Sequence, residues 1–233
     1  MIQTFPTREA WAEAAATRLA EALSEALASD GRALFAGSGG STPSPIYARL
    51  AQADLDWARV TATLVDERYV PEASPDSNAA LLKRALLTSP AAVAQFIPLY
   101  SPAVTVDRAA ALASHTLAAE GRPLDAVLLG MGEDGHICSM FPGSPTLTTL
   151  LTLSLKPAVY GVPAGRDGAA PPQERLTLNL PWLAGARRVV LALTGANKRV
   201  VFEREAAGDP AVSPVAALIA AKAPLEVFWT EAG

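Results

Sequence analysis

The first thirty residues carry a regular spacing of apolar side chains. These side chains recur at every fourth position and are Trp11, Ala15, Leu19, Leu23 and Leu27. Such a spacing places them on one face of an α-helix, the face that packs against a core. Asp30 and Gly31 follow, and glycine commonly ends a helix because it adopts left-handed backbone angles without strain. The pattern therefore predicts an amphipathic helix over residues 8–29.

Short apolar runs alternate with helical patterns through the rest of the chain. The runs predict strands at residues 33–36, 60–65, 96–99, 126–129, 189–193 and 227–229. The segments between them predict helices at residues 43–51, 78–87, 107–120 and 197–207. Strands separated by helices are joined by right-handed crossovers, which produce a mainly parallel sheet with helices on both faces. We therefore expect a single α/β domain over residues 1–233, with its ligand beyond the carboxyl ends of the strands.

Composition and charge argue against several classes of function. Half of the 233 residues are hydrophobic and 18% are charged, which is enough apolar material for a folded core. The formal net charge is −4 and no basic cluster is present, so no nucleic-acid partner is expected. No apolar run reaches the roughly 18 residues that cross a bilayer, so no membrane segment is expected either. The first residues lack a secretion signal, which predicts a cytoplasmic protein.

The supply of metal-binding side chains is small. The chain has one cysteine, Cys138, and two histidines, His115 and His136. A structural zinc site usually needs four cysteine or histidine ligands, so we expect no metal and no intrachain disulfide. Both a monomer and a homodimer are compatible with the sequence.

A glycine-rich turn follows the first strand of the alternating pattern. Residues 37–43 read Gly-Ser-Gly-Gly-Ser-Thr-Pro and lead into a predicted helix. This arrangement directs free backbone N–H groups and the positive end of a helix toward an anion. It lacks the lysine of a P-loop and the GxGxxG spacing, so an ordinary structural turn is the alternative. The candidate phosphate-binding residues are Gly39, Gly40, Ser41 and Thr42.

Three consecutive charged residues end the second strand of that pattern. Asp66, Glu67 and Arg68 directly follow an apolar run, and charges in such a place are costly to bury unless they are paired or used. A solvated turn with an internal ion pair is the alternative. Further along, Asp76 and Ser77 precede a predicted helix, and we interpret one of them as its N-cap.

The segment richest in chemistry is residues 130–136, which reads Gly-Met-Gly-Glu-Asp-Gly-His. It follows the predicted strand 126–129. His136 can take a proton from water near neutral pH, and Asp134 can orient its imidazole. A structural turn has little need of this combination, whereas His115 lies within a helical pattern and is expected at the surface.

Two cations are candidates for holding a phosphate dianion. Arg175 begins a Thr/Leu alternation, and Lys198 lies in the first turn of the predicted helix 197–207. Arginine can bind phosphate as a bidentate fork, and lysine acts as a point charge. A cation near a helix N-terminus opposes the helix dipole, so a bound anion would explain Lys198. Solvated surface is the alternative for either residue alone.

Taken together, these segments resemble the motif set of the glucosamine-6-phosphate isomerase/6-phosphogluconolactonase family, and in particular its lactonases. The matching segments follow the family's order and are residues 38–43, 66–68, 76–78, 130–136 with 139–143, 175–178 and 195–198. The resemblance implies hydrolysis of 6-phosphoglucono-1,5-lactone, a small phosphorylated sugar lactone, without metal or organic cofactor. It also implies a three-layer αβα Rossmann-like fold of the NagB/RpiA/CoA transferase-like type. The departures from the usual pattern are Ile137, Cys138 and Met140, which put the shape of the pocket in doubt.

Glucosamine-6-phosphate deaminase, which is similar in the glycine turn and around the histidine, is the main alternative. The deaminase carries an Asn-Glu-Pro segment after its histidine, whereas residues 140–143 here read Met-Phe-Pro-Gly, and residues 66–68 have the lactonase form. A phosphosugar-binding regulator without turnover is the other alternative, but it would have no use for a base.

The resemblance and the residues together predict a mechanism. His136 acts as general base on water, assisted by a carboxylate of Asp134 or Asp66. Arg68 helps to neutralise the developing oxyanion, and Arg175, Lys198 and the glycine turn hold the phosphate.

Overall fold

The computed structural model describes residues 2–40, 42–103, 105–165 and 172–232. Among them the elements are, in chain order, β1 (Ile2–Phe5), α1 (Arg8–Asp30), β2 (Ala33–Gly37), α2 (Ser44–Leu50), β3 (Val60–Leu64), β4 (Asp66–Arg68), α3 (Asn78–Ala85), β5 (Gln95–Phe96), α4 (Val106–Ala118), β6 (Ala126–Leu129), α5 (Leu147–Leu151), β7 (Val159–Val162), β8 (Arg175–Leu178), α6 (Leu180–Ala184), β9 (Val189–Thr194), α7 (Ala196–Ala206), α8 (Pro214–Ala220) and β10 (Leu225–Thr230). Two short 3₁₀ turns cover Trp57–Arg59 and Ala91–Val93. Within these ranges no helix combines the length and the apolar character that crossing a bilayer requires.

Helix α1 shows how local chemistry sets the ends of an element. The Thr7 hydroxyl accepts a hydrogen bond from the N–H of Ala10 and caps the first turn. At the other end Gly31 has φ 72° and its N–H donates to the carbonyl of Leu27. The helix therefore ends one residue beyond the predicted range 8–29. The predicted helices α2, α3, α4 and α7 are likewise confirmed to within two residues at each end.

Seven of the described strands form one parallel sheet in the order β1-β10-β9-β6-β2-β3-β5. Every residue of β2, β3 and β6 is buried. Because successive side chains of a strand point to opposite faces, this burial shows that both faces of the sheet are covered. The prediction of a mainly parallel α/β sheet is confirmed.

The predicted strand at residues 96–99 was wrong in its extent. Only Gln95–Phe96 pairs with β3, at the edge of the sheet, and the N–H of Ile97 makes one more bond to the carbonyl of Ala62. Pro98 comes next and has no N–H to donate, so the ladder ends there.

A second, antiparallel sheet of three described strands has the order β4-β8-β7 and was not predicted. Asp66–Arg68 was interpreted as a charged end of the preceding strand, but it leaves the main sheet and pairs with Arg175–Leu178. This register places Arg68 opposite Arg175. Two cations from distant parts of the sequence are thereby brought to one place.

The amino ends of the central strands are joined by a buried carboxylate. Asp125 is fully buried, and its Oδ2 accepts a bond of 2.7 Å from the N–H of Leu34 at the start of β2. Arg122 lies 2.8 Å from the same oxygen, and Arg187 lies 3.3 Å from Oδ1. This cluster lies at the amino ends of the strands, whereas the ligand site is predicted at their carboxyl ends.

Candidate active site

A cavity of about 240 Å³ opens at the carboxyl ends of the parallel strands. It is lined by residues that follow β2 and β6 and by the last residues of β9, together with residues of the small sheet and of α3 and α7. The lining residues are Ser38, Gly39, Gly40, Thr42, Asp66, Arg68, Asn78, Gly130, Met131, Gly132, His136, Cys138, Arg175, Ala192, Leu193, Thr194 and Lys198. Among the candidate site residues, Asp134 does not line it directly, and Ser41 lies outside the described residues. The structure therefore brings the glycine turn and the charged segments together around one cavity, and the roles of these residues stay predictions.

The glycine turn is contacted by two neighbouring side chains, those of Tyr47 and Asn78. The Tyr47 hydroxyl, which is buried, donates a bond of 2.6 Å to the carbonyl of Ser38. Gly40 has φ 89°, a backbone conformation that favours glycine. A side chain at Gly39 would overlap the side-chain amide of Asn78, so the glycine leaves room for this asparagine beside the turn.

Arg68 reaches the cavity from β4 with its guanidinium already bonded. Its NH1 donates to the carbonyl of Asp76 at 2.7 Å and to Oδ1 of Asn78 at 2.9 Å. The Nδ2 of Asn78 in turn donates to the carbonyl of Asp66 at 2.9 Å. Asn78 is 2% exposed and connects the charged strand to the glycine turn. The sequence interpretation had missed this residue and read its neighbourhood as a helix cap.

That helix cap is nevertheless present. The Ser77 hydroxyl accepts a bond from the N–H of Ala80 and caps α3, as predicted for this position. The sequence pattern therefore predicts the cap but not the contacts of Asn78, because an asparagine directly after an N-cap is not unusual.

Asp66 is held by neighbours other than His136. Its Oδ2 accepts a bond of 2.6 Å from the hydroxyl of Ser139 and lies 3.7 Å from NH1 of Arg175. The side chain is 8% exposed. Asp66 therefore lies beside Arg175, and among the described residues Asp134 is the carboxylate that contacts His136.

His136 and Asp134 form a closed turn. The N–H of Gly132 donates to the carbonyl of His136, and Oδ1 of Asp134 lies 3.2 Å from the backbone nitrogen of His136 and 2.5 Å from its Nδ1. A side chain at Gly132 would overlap the imidazole, which explains the glycine there. The imidazole packs on Phe141 with ring centroids 4.4 Å apart, and 26% of the His136 side chain stays exposed. The ring is therefore held on one side and open to water on another.

The charge on Asp134 is stabilised by this contact. Burial opposes ionisation of Asp134, but the hydrogen bonds and the charge of His136 outweigh it and lower the pKa of the carboxyl. Asp134 is consequently an anion beside Nδ1 at neutral pH, and Nε2 is the ring nitrogen that can accept a proton.

Arg175 and Lys198 both line the cavity, and burial lowers the pKa of both side chains. The nearby charge of Arg68 acts in the same direction on Arg175, while Glu133 and Asp134 oppose the shift of Lys198. Arg175 lies over the ring of Phe141 at 5.6 Å, and its buried Nε has no partner among the described residues. These cations are positioned to gain from a bound anion.

Lys198 lies in the first turn of α7, as predicted. Helix α7 begins after Gly195, which has φ 82° and no side-chain cap. The Nζ of Lys198 donates a bond of 2.7 Å to the carbonyl of Met131, which ties the helix to the loop that carries His136. The ammonium retains further N–H groups for a ligand.

Two other positions complete the picture. Cys138 lines the cavity with φ 53°, and burial together with the charge of Asp66 raises the pKa of its thiol well above the usual value. His115 is exposed on α4, as expected from its helical pattern.

Comparison with known proteins gives one consistent result. A family model described as glucosamine-6-phosphate isomerases/6-phosphogluconolactonase matches residues 6–229. A 6-phosphogluconolactonase of Rhizobium meliloti is 42% identical over 227 residues, which cover 97% of this chain and 96% of the relative. The crystal structure of a 6-phosphogluconolactonase from Shewanella baltica has a TM-score of 0.90 at 34% identity and covers 99% of this chain and 97% of that one. A monomeric glucosamine-6-phosphate deaminase has a TM-score of 0.74 at 17% identity, with 98% of this chain and 96% of that chain covered, and shares the fold.

Proposed function

The chain belongs to the glucosamine-6-phosphate isomerase/6-phosphogluconolactonase family, and we infer that it hydrolyses 6-phosphoglucono-1,5-lactone to 6-phosphogluconate. This makes it a carboxylic ester hydrolase of the oxidative pentose phosphate pathway. One observation supports the assignment most directly: His136, with Asp134 on its Nδ1, opens into the same cavity as Arg175 and Lys198. A base and a pair of cations in one cavity match an ester that carries a phosphate.

Hydrolysis begins with addition of water to the lactone carbonyl. In the proposed mechanism Nε2 of His136 takes a proton from the water as its oxygen bonds to C1, and the carbonyl oxygen becomes an oxyanion. The bond between C1 and the ring oxygen then breaks, and His136 returns the proton to the ring oxygen. A six-membered lactone already hydrolyses slowly in water, so general-base help of roughly 10²–10⁴-fold together with electrostatic stabilisation is sufficient.

The charged groups divide between the two ends of the substrate. We propose that the phosphate is held by the backbone of Gly39 and Gly40, by Thr42, and by the side chains of Arg175 and Lys198. The buried Nε atoms of Arg175 and Arg68 both lack a partner among the described residues, and an anion bound in the cavity would satisfy either of them. Arg68 lines the cavity and would stabilise the oxyanion. Ser41, the remaining candidate of the turn, lies outside the described residues.

The role of Asp66 in this mechanism is indirect. Its contacts with Ser139 and Arg175 support a function in orienting the phosphate-binding arginine. Asp134 is the carboxylate proposed to assist His136 directly, because it holds Nδ1.

The place that a deaminase uses for an acid is apolar here. Phe141 packs on the His136 ring, and its side chain has no proton to give. Ring opening of an amino sugar phosphate needs such a group, so we do not propose isomerising deamination for this chain.

The remaining parts of the proposal concern the protein as a whole. We propose that residues 1–233 act as a single domain, without a metal or organic cofactor, on a small phosphorylated sugar lactone. We propose a cytoplasmic protein that is a monomer or a homodimer.

The assay that tests the function is acid release from freshly prepared 6-phosphogluconolactone, with the spontaneous rate subtracted. The same protein is assayed for ammonia release from glucosamine 6-phosphate, and the His136→Ala protein serves as the control for contaminating lactonase. We expect acid release that the variant lacks, and no ammonia. Acid release no faster than the spontaneous rate would refute the proposal.

A further inference from the structure

Glu67 is a fully buried carboxylate behind the cavity wall. Its Oε1 accepts hydrogen bonds from the backbone N–H groups of Arg68 at 2.7 Å and Asn78 at 2.8 Å. Its Oε2 accepts bonds from the N–H of Ala79 at 2.8 Å and the hydroxyl of Ser77 at 3.1 Å. Four donors around two oxygens favour an ionised carboxylate, and they oppose the burial that raises the pKa of Glu67 above its ordinary value.

This carboxylate joins two elements that the chain connects only through a loop. It belongs to β4, and two of its donors are the first N–H groups of α3, where an anion is favoured by the helix dipole. The N-terminus of α3 is thereby tied to the strand that carries Arg68. Glu67 does not line the cavity itself.

The effect of Glu67 reaches the cavity through Asn78. The backbone of Asn78 is held by Glu67, while its side chain accepts from NH1 of Arg68 and donates to the carbonyl of Asp66. The same side chain fills the space beside Gly39. A shift of Asn78 would therefore move the guanidinium of Arg68 relative to the glycine turn.

We propose that Glu67 is a positioning residue that, acting through Asn78, holds the Arg68 guanidinium at a defined place relative to the glycine turn. This rests on the proposed function, in which Arg68 stabilises the oxyanion. Glutamine has nearly the shape of glutamate, but its NH₂ group would face backbone N–H donors where an acceptor is required. The Glu67→Gln change should therefore release Asn78 and let Arg68 move.

The test is a double-mutant cycle between Glu67→Gln and Arg68→Ala, with kcat and KM measured for each protein. Because an oxyanion contact is made in the transition state, we expect Arg68→Ala to lower kcat. Glu67→Gln should lower kcat as well, by about tenfold or more. In the Arg68→Ala background the Glu67→Gln change should alter that parameter by less than about twofold. Asn78→Ala should behave like Glu67→Gln, and it carries the test if Glu67→Gln does not fold.

Asp125→Asn is the matched control. Asp125 is also fully buried and bonded to a backbone N–H, but it lies at the amino ends of the strands, away from the cavity. It should lower the melting temperature and leave the kinetic constants unchanged. Independent, additive losses in the cycle would overturn the proposal, and so would a Glu67→Gln protein that is destabilised but kinetically normal.

A wild-type protein without lactonase activity would refute the proposed function instead. In that case the same cycle is read as affinity for 6-phosphogluconate by titration calorimetry, in which non-additivity between Glu67 and Arg68 still supports positioning and additivity still refutes it.

Discussion

Oδ1 of Asp134 lies 2.5 Å from Nδ1 of His136 and 3.2 Å from the backbone nitrogen of the same residue. One carboxylate oxygen thus contacts both the ring and the main chain of the histidine two positions later. The contact favours the tautomer with its proton on Nδ1 and leaves Nε2 free to act as the proposed base. The orientation of the ring and its tautomer are thus both governed by one turn of five residues.

Replacing His136 by alanine should abolish most of the turnover. Loss of a general base lowers kcat by roughly 10²–10⁴-fold, whereas the phosphate contacts proposed for Arg175 and Lys198 would remain. We therefore expect binding of 6-phosphogluconate, measured by titration calorimetry, to change little. His115→Ala is the control, because that histidine is exposed on α4. Turnover retained in His136→Ala would remove this residue from the mechanism.

Arg175→Ala and Lys198→Ala should act mainly on affinity. Each change would remove a proposed charged hydrogen bond to the phosphate, and we expect a loss of roughly 1.5–3 kcal/mol in binding of 6-phosphogluconate. The control is gluconate, which lacks the phosphate and should bind weakly and equally to all three proteins. If the phosphate-free compound bound as tightly as the phosphorylated one, the clamp would be assigned to the wrong residues.

Binding of the phosphate should weaken at a lower alkaline pH than it would if the lysine had its ordinary pKa. Burial lowers the pKa of Lys198 from its usual 10.5. The ammonium is charged below that lowered pKa and neutral above it, so affinity for the dianion is present at low pH and falls as pH rises through it. Calorimetric titrations between about pH 7 and pH 10 would show the fall.

The Lys198→Arg protein serves as the control for this pH dependence. Arginine keeps its charge throughout that range, so its affinity should stay level over the alkaline pH values. A fall of the same size in both proteins would mean that another group titrates.

Gly39→Ala should disable the site through Asn78. The added methyl group would occupy the place of the Asn78 amide, which bonds Arg68. We expect kcat/KM to fall by about tenfold or more. The double variant Gly39→Ala with Asn78→Ala removes the overlap, so it should be no worse than Asn78→Ala. Full additivity of the two losses would contradict the proposed contact.

Asp125→Asn should destabilise the fold without affecting catalysis. The change removes the buried charge that pairs with Arg122, which then keeps only the partly exposed Asp30 as a carboxylate partner, and it weakens the bond to the N–H of Leu34. Breaking a buried pair from one side costs roughly 3–5 kcal/mol of unfolding free energy, which urea denaturation would measure. An unchanged midpoint would show that the cluster contributes little to stability.

Much of the architecture and of the candidate site was predictable from short stretches of sequence. The apolar period of α1, the buried runs of β2, β3, β6, β9 and β10, and the motif around His136 are all local patterns. They are readable because helix and strand periods appear directly in the order of apolar and polar residues. The contact of His136 with Asp134 is local too, since two residues in a tight glycine turn have few arrangements.

Tertiary structure decided the rest. Pairing of β4 with β8 places Arg68 opposite Arg175. Three of the four donors around Glu67 come from the N-cap and first turn of α3, which lie ten to twelve residues beyond it. Such contacts depend on which distant segments pack together when the core forms, and the residue spacing within either segment does not specify that pairing. The sequence by itself therefore determined the elements and the types of chemistry, while packing determined which charges face the cavity and which residues hold them there.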